Sequence, residues 1–158
     1  MGFPTVGSTV PSFSLYNQDG QEISLQDFKE KNNIVLYFYP KALTPGCTKQ
    51  ACGLRDIQET LRQKNVVVFG ISPDPVENLK KFIDKNTLNF DLLSDKDHTI
   101  AEKYGAWGLK KFMGREFMGI LRTTFVIDQD LKLVAVLDKF KTGKHHDVLM
   151  TLLEEKLP

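Results

Sequence analysis

The sequence predicts an α/β fold in which one mixed sheet carries helices on both faces, and three observations lead there. Two apolar runs, "NIVLYFYP" (33–40) and "NVVVFGIS" (65–72), are continuous and rich in β-branched and aromatic residues, as strands covered on both faces are. Between them Ala51, Leu54, Ile57 and Leu61 recur at helical spacing. A strand, helix, strand unit demands a parallel pair joined by a right-handed crossover. Later in the chain, "ILRTTFVI" (120–127) and "KLVAVLD" (132–138) flank a short polar turn, which reads as an antiparallel hairpin.

The remaining elements follow in order. "DPVENLKKFIDKN" predicts a helix with Asp74 as N-cap, Pro75 at its first position and Glu77 completing a capping box. Val76, Leu79, Phe82 and Ile83 form its apolar stripe. "FDLLS" (90–94) predicts a short strand and "HTIAEKYG" (98–105) a short helix. The hairpin turn around "DQD" lacks the expected glycine. "HHDVLMTLLEEKLP" closes the chain as a helix with Val148, Leu149, Leu152 and Leu153 on one face. The order βαβα followed by ββα places everything in one domain, 1–158.

Composition narrows the function. With 158 residues and 41% apolar content the chain can bury a proper core. The net charge of +1 leaves no electrostatic footprint for nucleic acid or an anionic membrane. No apolar run reaches the length of a membrane span. The N-terminus has neither a basic start nor an apolar core, so it does not read as a secretory signal. The expectation is a cytoplasmic protein. In a reducing compartment, paired cysteines are more often catalytic or metal-binding than structural.

The chain has two cysteines, both in "KALTPGCTKQAC" (41–52). Thr44 followed by Pro45 is a helix start, with Thr44 as N-cap and Cys47 at the third helical position. The Thr44 hydroxyl is expected to accept from a backbone N–H near Cys47. The helix dipole and unpaired N–H groups favour negative charge there, so Cys47 is expected to be partly thiolate. Cys52 lies five residues on, which in a helix sets the two Cα atoms about 8 to 9 Å apart. A disulfide needs about 4.4 to 6.8 Å. The two can bridge only if the helix start unwinds. Gly53 follows Cys52 and weakens the helix by about 1 kcal/mol relative to alanine. Gly53→Ala is therefore expected to slow any disulfide formation.

Other cysteine chemistries fit less well. A structural zinc site wants four ligands, and His98, His145 and His146 show no ligand spacing with the cysteines. His145 and His146 read as a solvated start of the last helix. "WGLKKFMGREFMG" (107–119) reads as a loop at the site mouth, with Lys110, Lys111 and Arg115 solvated and Trp107 packed nearby. Arg122 lies in an apolar run and needs a partner or solvent.

"FYPKALTPGCTKQACGLRD" (38–56) closely resembles the active-site segment of the peroxiredoxins, and of the bacterioferritin comigratory protein (BCP, or PrxQ) subfamily in particular. Pro40, Thr44 and Cys47 match the subfamily's motif of Pro, three residues, Thr or Ser, two residues, Cys. "GISPDPVENLKKF", "NFDLLSDKDHTIAEKYGAWG", "FMGREFMGILRTTFVID" and "FKTGKHHDVL" continue the likeness along nearly the whole chain. The resemblance implies a thioredoxin-like fold and a thiol peroxidase that acts on hydrogen peroxide and organic hydroperoxides without metal, haem or flavin. It puts Cys47 in the peroxidatic position and Cys52 in the resolving position. Arg122 then takes the catalytic arginine's place, Thr44 holds peroxide and thiolate, and Pro40 shields the sulfur. It implies an intramolecular Cys47–Cys52 disulfide, a monomer, and recycling by thioredoxin or glutaredoxin. Many relatives carry Glu where this chain has Gln50.

Two further readings compete with the peroxidase. One is a redox-switched binding protein, which oxidises without rapid turnover. The other is a general disulfide oxidoreductase with no special reactivity toward peroxide. Neither needs an arginine aimed at a pair of oxygens.

Overall fold

The structure is a computed structural model that describes residues 2–157. The two apolar runs form β3 (Asn33–Phe38) and β4 (Val66–Ser72), and they pair in parallel as expected. Strand β5 (Asp91–Ser94) adds in parallel to β4. On the other side, β8 (Thr123–Ile127) runs antiparallel to β3, and β9 (Leu133–Leu137) pairs antiparallel with β8. The sheet is therefore mixed.

Successive β3 side chains point to opposite faces, as the pleat dictates. Val35 and Tyr37 enter one core layer, while Ile34, Leu36 and Phe38 enter the other. Four helices cover the first layer: α1 (Pro45–Asp56), α2 (Gln58–Gln63), α3 (Val76–Asn86) and α5 (His145–Lys156). The second is covered by α4 (Thr99–Lys103) together with the N-terminal segment. Burial on both faces explains why β3 and β4 read as unbroken apolar runs rather than alternating ones.

Several local expectations are corrected. The helical pattern over residues 51–61 is not one helix, because Ile57 leaves helical geometry between α1 and α2. Asp74 does not cap α3. Pro75 holds the N-cap position and Val76 starts the helix. The Asp74 carboxylate instead accepts the Ala42 N–H at 2.7 Å and the Ser72 hydroxyl at 2.8 Å. A buried N–H in the loop ahead of α1 has the stronger claim on that carboxylate. The β8–β9 turn manages without glycine. Leu131 adopts φ 61°, and Asp128 Oδ1 accepts from the Asp130 and Lys132 N–H groups.

Two hairpins lie outside the sequence-based reading. The strands β1 (Ser14–Asn17) and β2 (Glu22–Ser24) extend the sheet beyond β5, giving the order β2-β1-β5-β4-β3-β8-β9. The segment expected to be a loop holds β6 (Trp107–Phe112) and β7 (Arg115–Ile120), a separate antiparallel pair. Its exposed Leu109, Phe112, Phe117 and Met118 blur the alternation that marks a half-buried strand. Trp107 stacks on His98 with ring centroids 3.7 Å apart. No described helix is long and apolar enough to cross a membrane.

Candidate active site

Cys47 sits at the third position of α1, behind the Thr44 N-cap and Pro45. It is 1% exposed. The loop that delivers it is held from below. The Tyr39 N–H donates to the Ile71 carbonyl at 3.1 Å, and the Ala42 N–H is tied to Asp74. Leu43 turns the chain with φ 67°. Pro40 lies in this loop, partly buried. The Thr44 hydroxyl does not cap α1 as expected. It donates to the Lys41 carbonyl at 2.8 Å, which closes the turn before the helix.

Arg122 lies just ahead of β8, not inside a strand. Residues 124 and 126 of that strand face the layer covered by α1 and α5, and Arg122 continues the alternation toward α1. Its Nη2 donates to Cys47 Sγ at 3.2 Å and its Nη1 donates to the Gln50 amide oxygen at 3.1 Å. A Cβ on Gly46 would stand 3.1 Å from Nη2, so the glycine lets the guanidinium come close to the first turn. Gln50 is fully buried. Two segments far apart in the chain therefore converge on one sulfur, with the donors of an arginine and the N-terminal end of a helix around it.

Arg122 also lines a cleft of about 460 Å³ with Phe3, Lys110, Leu121, Thr123 and Asp138. Lys110 is thus a half-buried residue of β6 rather than part of a loop. Burial holds its ammonium below the usual lysine range, and the Arg122 charge adds to the effect. On the core side, burial pushes the Tyr37 phenol well up, with Tyr39 and Cys47 adding to the shift.

Cys52 is on the same intact helix, partly exposed, with Sγ 3.8 Å from Asn86 Oδ1. Both cysteines are free thiols. The two histidines that read as solvated are not. His145 is completely buried, with Nε2 2.8 Å from the Thr124 hydroxyl. Burial pushes its pKa down to about 3, with His146 and Arg122 contributing. His146 packs its ring against Gly53. Among the described residues no three of His, Cys, Asp and Glu gather closely enough to hold a metal ion.

The sequence profile of the AhpC/TSA family matches residues 6–136. The chain belongs to that family. Within it, the relatives point to the Bcp group. Peroxiredoxin Bcp of Escherichia coli (strain K12) is 51% identical over 149 residues, covering 94% of this chain and 95% of the relative. Peroxiredoxin Bcp of Bacillus subtilis (strain 168) is 43% identical over 148 residues, covering 93% and 94%. Among solved structures, the peroxidoxin BcpB of Mycobacterium tuberculosis superposes with a TM-score of 0.83 at 36% identity, covering 95% and 96% of the two chains. Peroxiredoxin Q of Xanthomonas campestris gives a TM-score of 0.86 at 26% identity, covering 92% of each. The protein is thus a peroxiredoxin of the Bcp/PrxQ group with a thioredoxin-like fold, a peroxidase-type oxidoreductase working by thiol chemistry.

Gln50 and Asp74 are the parts of this peroxiredoxin site whose roles the residues did not announce. A buried amide and a carboxylate facing a loop N–H leave no signature in local sequence. Asp74 is equally compatible with a helix cap.

Proposed function

We propose that this peroxiredoxin reduces hydrogen peroxide and organic hydroperoxides at Cys47, with Cys52 resolving the oxidised sulfur inside the same chain. The observation that carries the reading is the 3.2 Å contact from Arg122 Nη2 to Cys47 Sγ at a buried helix start. A thiolate there is paired with a permanent cation and faces the free N–H groups of the first turn.

The hydroperoxide enters with its reacting oxygen near Sγ. The Thr44 hydroxyl has its proton committed to the Lys41 carbonyl, so its lone pairs are left to accept the O–H of the substrate. Arg122 and the backbone N–H groups stabilise the charge that develops on the departing oxygen. The sulfur forms an S–O bond to the terminal oxygen of the substrate, the O–O bond breaks, and the departing oxygen takes up the proton that the Cys47 thiol had released and leaves as alcohol or water. Cys47 is oxidised by two electrons to a sulfenic acid. Pro40 shields that sulfur from bulk water.

The Cys52 thiol then attacks the sulfenic sulfur. The disulfide forms and water leaves. In an intact α1 the two Cα atoms are about 8 to 9 Å apart, so the helix must open locally for this step. A dithiol protein, thioredoxin or glutaredoxin, returns both thiols by exchange. The chain acts as a cytoplasmic monomer of one domain.

The test is intact mass under denaturing conditions, taken within a second of mixing the reduced protein with one equivalent of hydrogen peroxide. Loss of two hydrogens without a covalent dimer is expected. Cys47→Ser abolishes the reaction, and Cys52→Ser consumes one peroxide and stalls. An unchanged mass with two free thiols overturns the reading, as does normal thioredoxin-linked turnover in Cys52→Ser.

A further inference from the structure

Gly53 is buried in the interior of α1, one residue beyond Cys52. Its place is explained by what lies against it. A Cβ built on Gly53 would fall 2.3 Å from His146 Nδ1, 2.9 Å from Cγ and 3.0 Å from Cε1. The imidazole therefore sits directly on the Gly53 Cα, in a notch that any larger residue would fill. The ring is only partly exposed, 25%, and its Nδ1 is buried without a hydrogen-bond partner. Nε2, on the outer edge of the ring, lies 3.5 Å from the Asp147 carboxylate, and the inward edge with Nδ1 is held against Gly53 by shape. The other side of the same turn is tied to α3. The Arg55 guanidinium donates to the Asn86 carbonyl at 2.7 Å, and the Cys52 sulfur lies against the Asn86 side chain.

We infer that His146 is a positioning residue for the resolving step: its ring, seated in the Gly53 notch, latches the Cys52 end of α1 in helical register and sets how often that end opens to let Cys52 reach Cys47. The inference rests on the disulfide mechanism proposed above. Opening the helix at residues 52 and 53 swings the Gly53 backbone through the space the ring occupies, so the ring must leave first. Among the described residues no hydrogen bond joins His146 to either cysteine, and the reaction of Cys47 with peroxide does not depend on it. A slow latch leaves the sulfenic acid exposed for longer to a second peroxide, which carries it on to sulfinic acid. The latch thus partitions Cys47 between disulfide and overoxidation.

Single-turnover rapid quench with hydrogen peroxide, followed by alkylation and mass analysis, reads both steps on the full chain. In His146→Ala the peroxide step keeps its rate. Disulfide formation accelerates roughly twofold or more, the low end of coupling between packed neighbours, and the sulfinic fraction at excess peroxide falls. His146→Gln, uncharged and without a ring, moves the same way if the alanine variant fails to fold. Gly53→Ala supplies the discriminating cycle. With His146 present, the added methyl evicts the ring and disulfide formation is not slowed, which reverses the expectation drawn from helix propensity alone. In the His146→Ala background the methyl only strengthens the helix, and disulfide formation slows. Parent-like resolving rates in both His146 variants, or equal slowing by Gly53→Ala in both backgrounds, overturn the latch while the disulfide mechanism stands. A parent chain that forms no disulfide overturns both.

Discussion

Arg122 divides its guanidinium between Cys47 and Gln50, with Nη2 donating to the thiol sulfur at 3.2 Å and Nη1 to the amide oxygen at 3.1 Å. The fork is rigid, so holding one nitrogen aims the other. Arg122→Ala removes the donor nearest the reacting sulfur. The second-order rate of Cys47 oxidation should fall by about two to three orders of magnitude, the usual effect of losing one such donor. Arg122→Lys should recover only part of it, because one ammonium cannot address both partners. Stopped-flow competition against a reference peroxidase checks both values.

Gln50 tests the aiming separately. It is fully buried, and its amide nitrogen has no hydrogen-bond partner. Gln50→Leu keeps the volume but strips Nη1 of its acceptor. A lost buried hydrogen bond to a charged group costs about 1 to 3 kcal/mol, so both the peroxide rate and the denaturation midpoint should drop. Gln50→Glu should restore the stability. It should also slow peroxide reduction at neutral pH, since a carboxylate would draw Arg122 away from Cys47 and repel the thiolate. Equal peroxide rates in Gln50→Glu and the parent would mean that the neutral amide has no electrostatic role.

Asp74 anchors the loop that leads into α1. It accepts the buried Ala42 N–H and the Ser72 hydroxyl, although it lies 32 residues beyond Ala42. Asp74→Ala leaves that N–H without an acceptor and should cost about 1 to 3 kcal/mol in denaturant unfolding. Asp74→Asn retains an acceptor oxygen and should cost less. Both variants should lose peroxide rate in the same order, because the loop positions Thr44 and Cys47.

His145 predicts a pH dependence of stability. Burial, with His146 and Arg122 adding, lowers its pKa from 6.5 to about 3. Below pH 6.5 the unfolded chain takes up a proton at this site that the folded chain refuses. The unfolded state therefore binds more protons, and stability declines as pH falls from about 6.5 toward 3. The limiting slope is about 1.4 kcal/mol per pH unit for one proton. His145→Gln should flatten the decline by about one proton between these limits. Urea melts at pH 4, 5, 6 and 7 read it directly, and an identical slope in the variant would place the proton uptake elsewhere.

The two central strands were legible because β3 and β4 lie between two core layers, which forces a run of apolar residues on both faces. Cys47 at a helix start was legible because Thr44 and Pro45 are local signals, and the helix begins at Pro45. The resemblance of the 38–56 segment carried the family. By contrast, the β6–β7 hairpin was hidden. Its side chains are largely exposed, and nothing obliges an exposed pair of strands to alternate.

By itself, then, the sequence determined the α/β order, the helix start that presents Cys47, and a spacing that keeps two thiols apart in an intact helix. These are properties of neighbours along the chain, governed by dihedral preference and periodicity. Only the tertiary structure decided that Arg122 and Gln50 meet at the sulfur, that Asp74 serves a loop rather than a cap, that His145 is buried, and that His146 rests on Gly53. Each of those joins residues more than 20 positions apart. A polar side chain's partner is whichever buried group would otherwise go unpaired, and packing alone brings that group within reach.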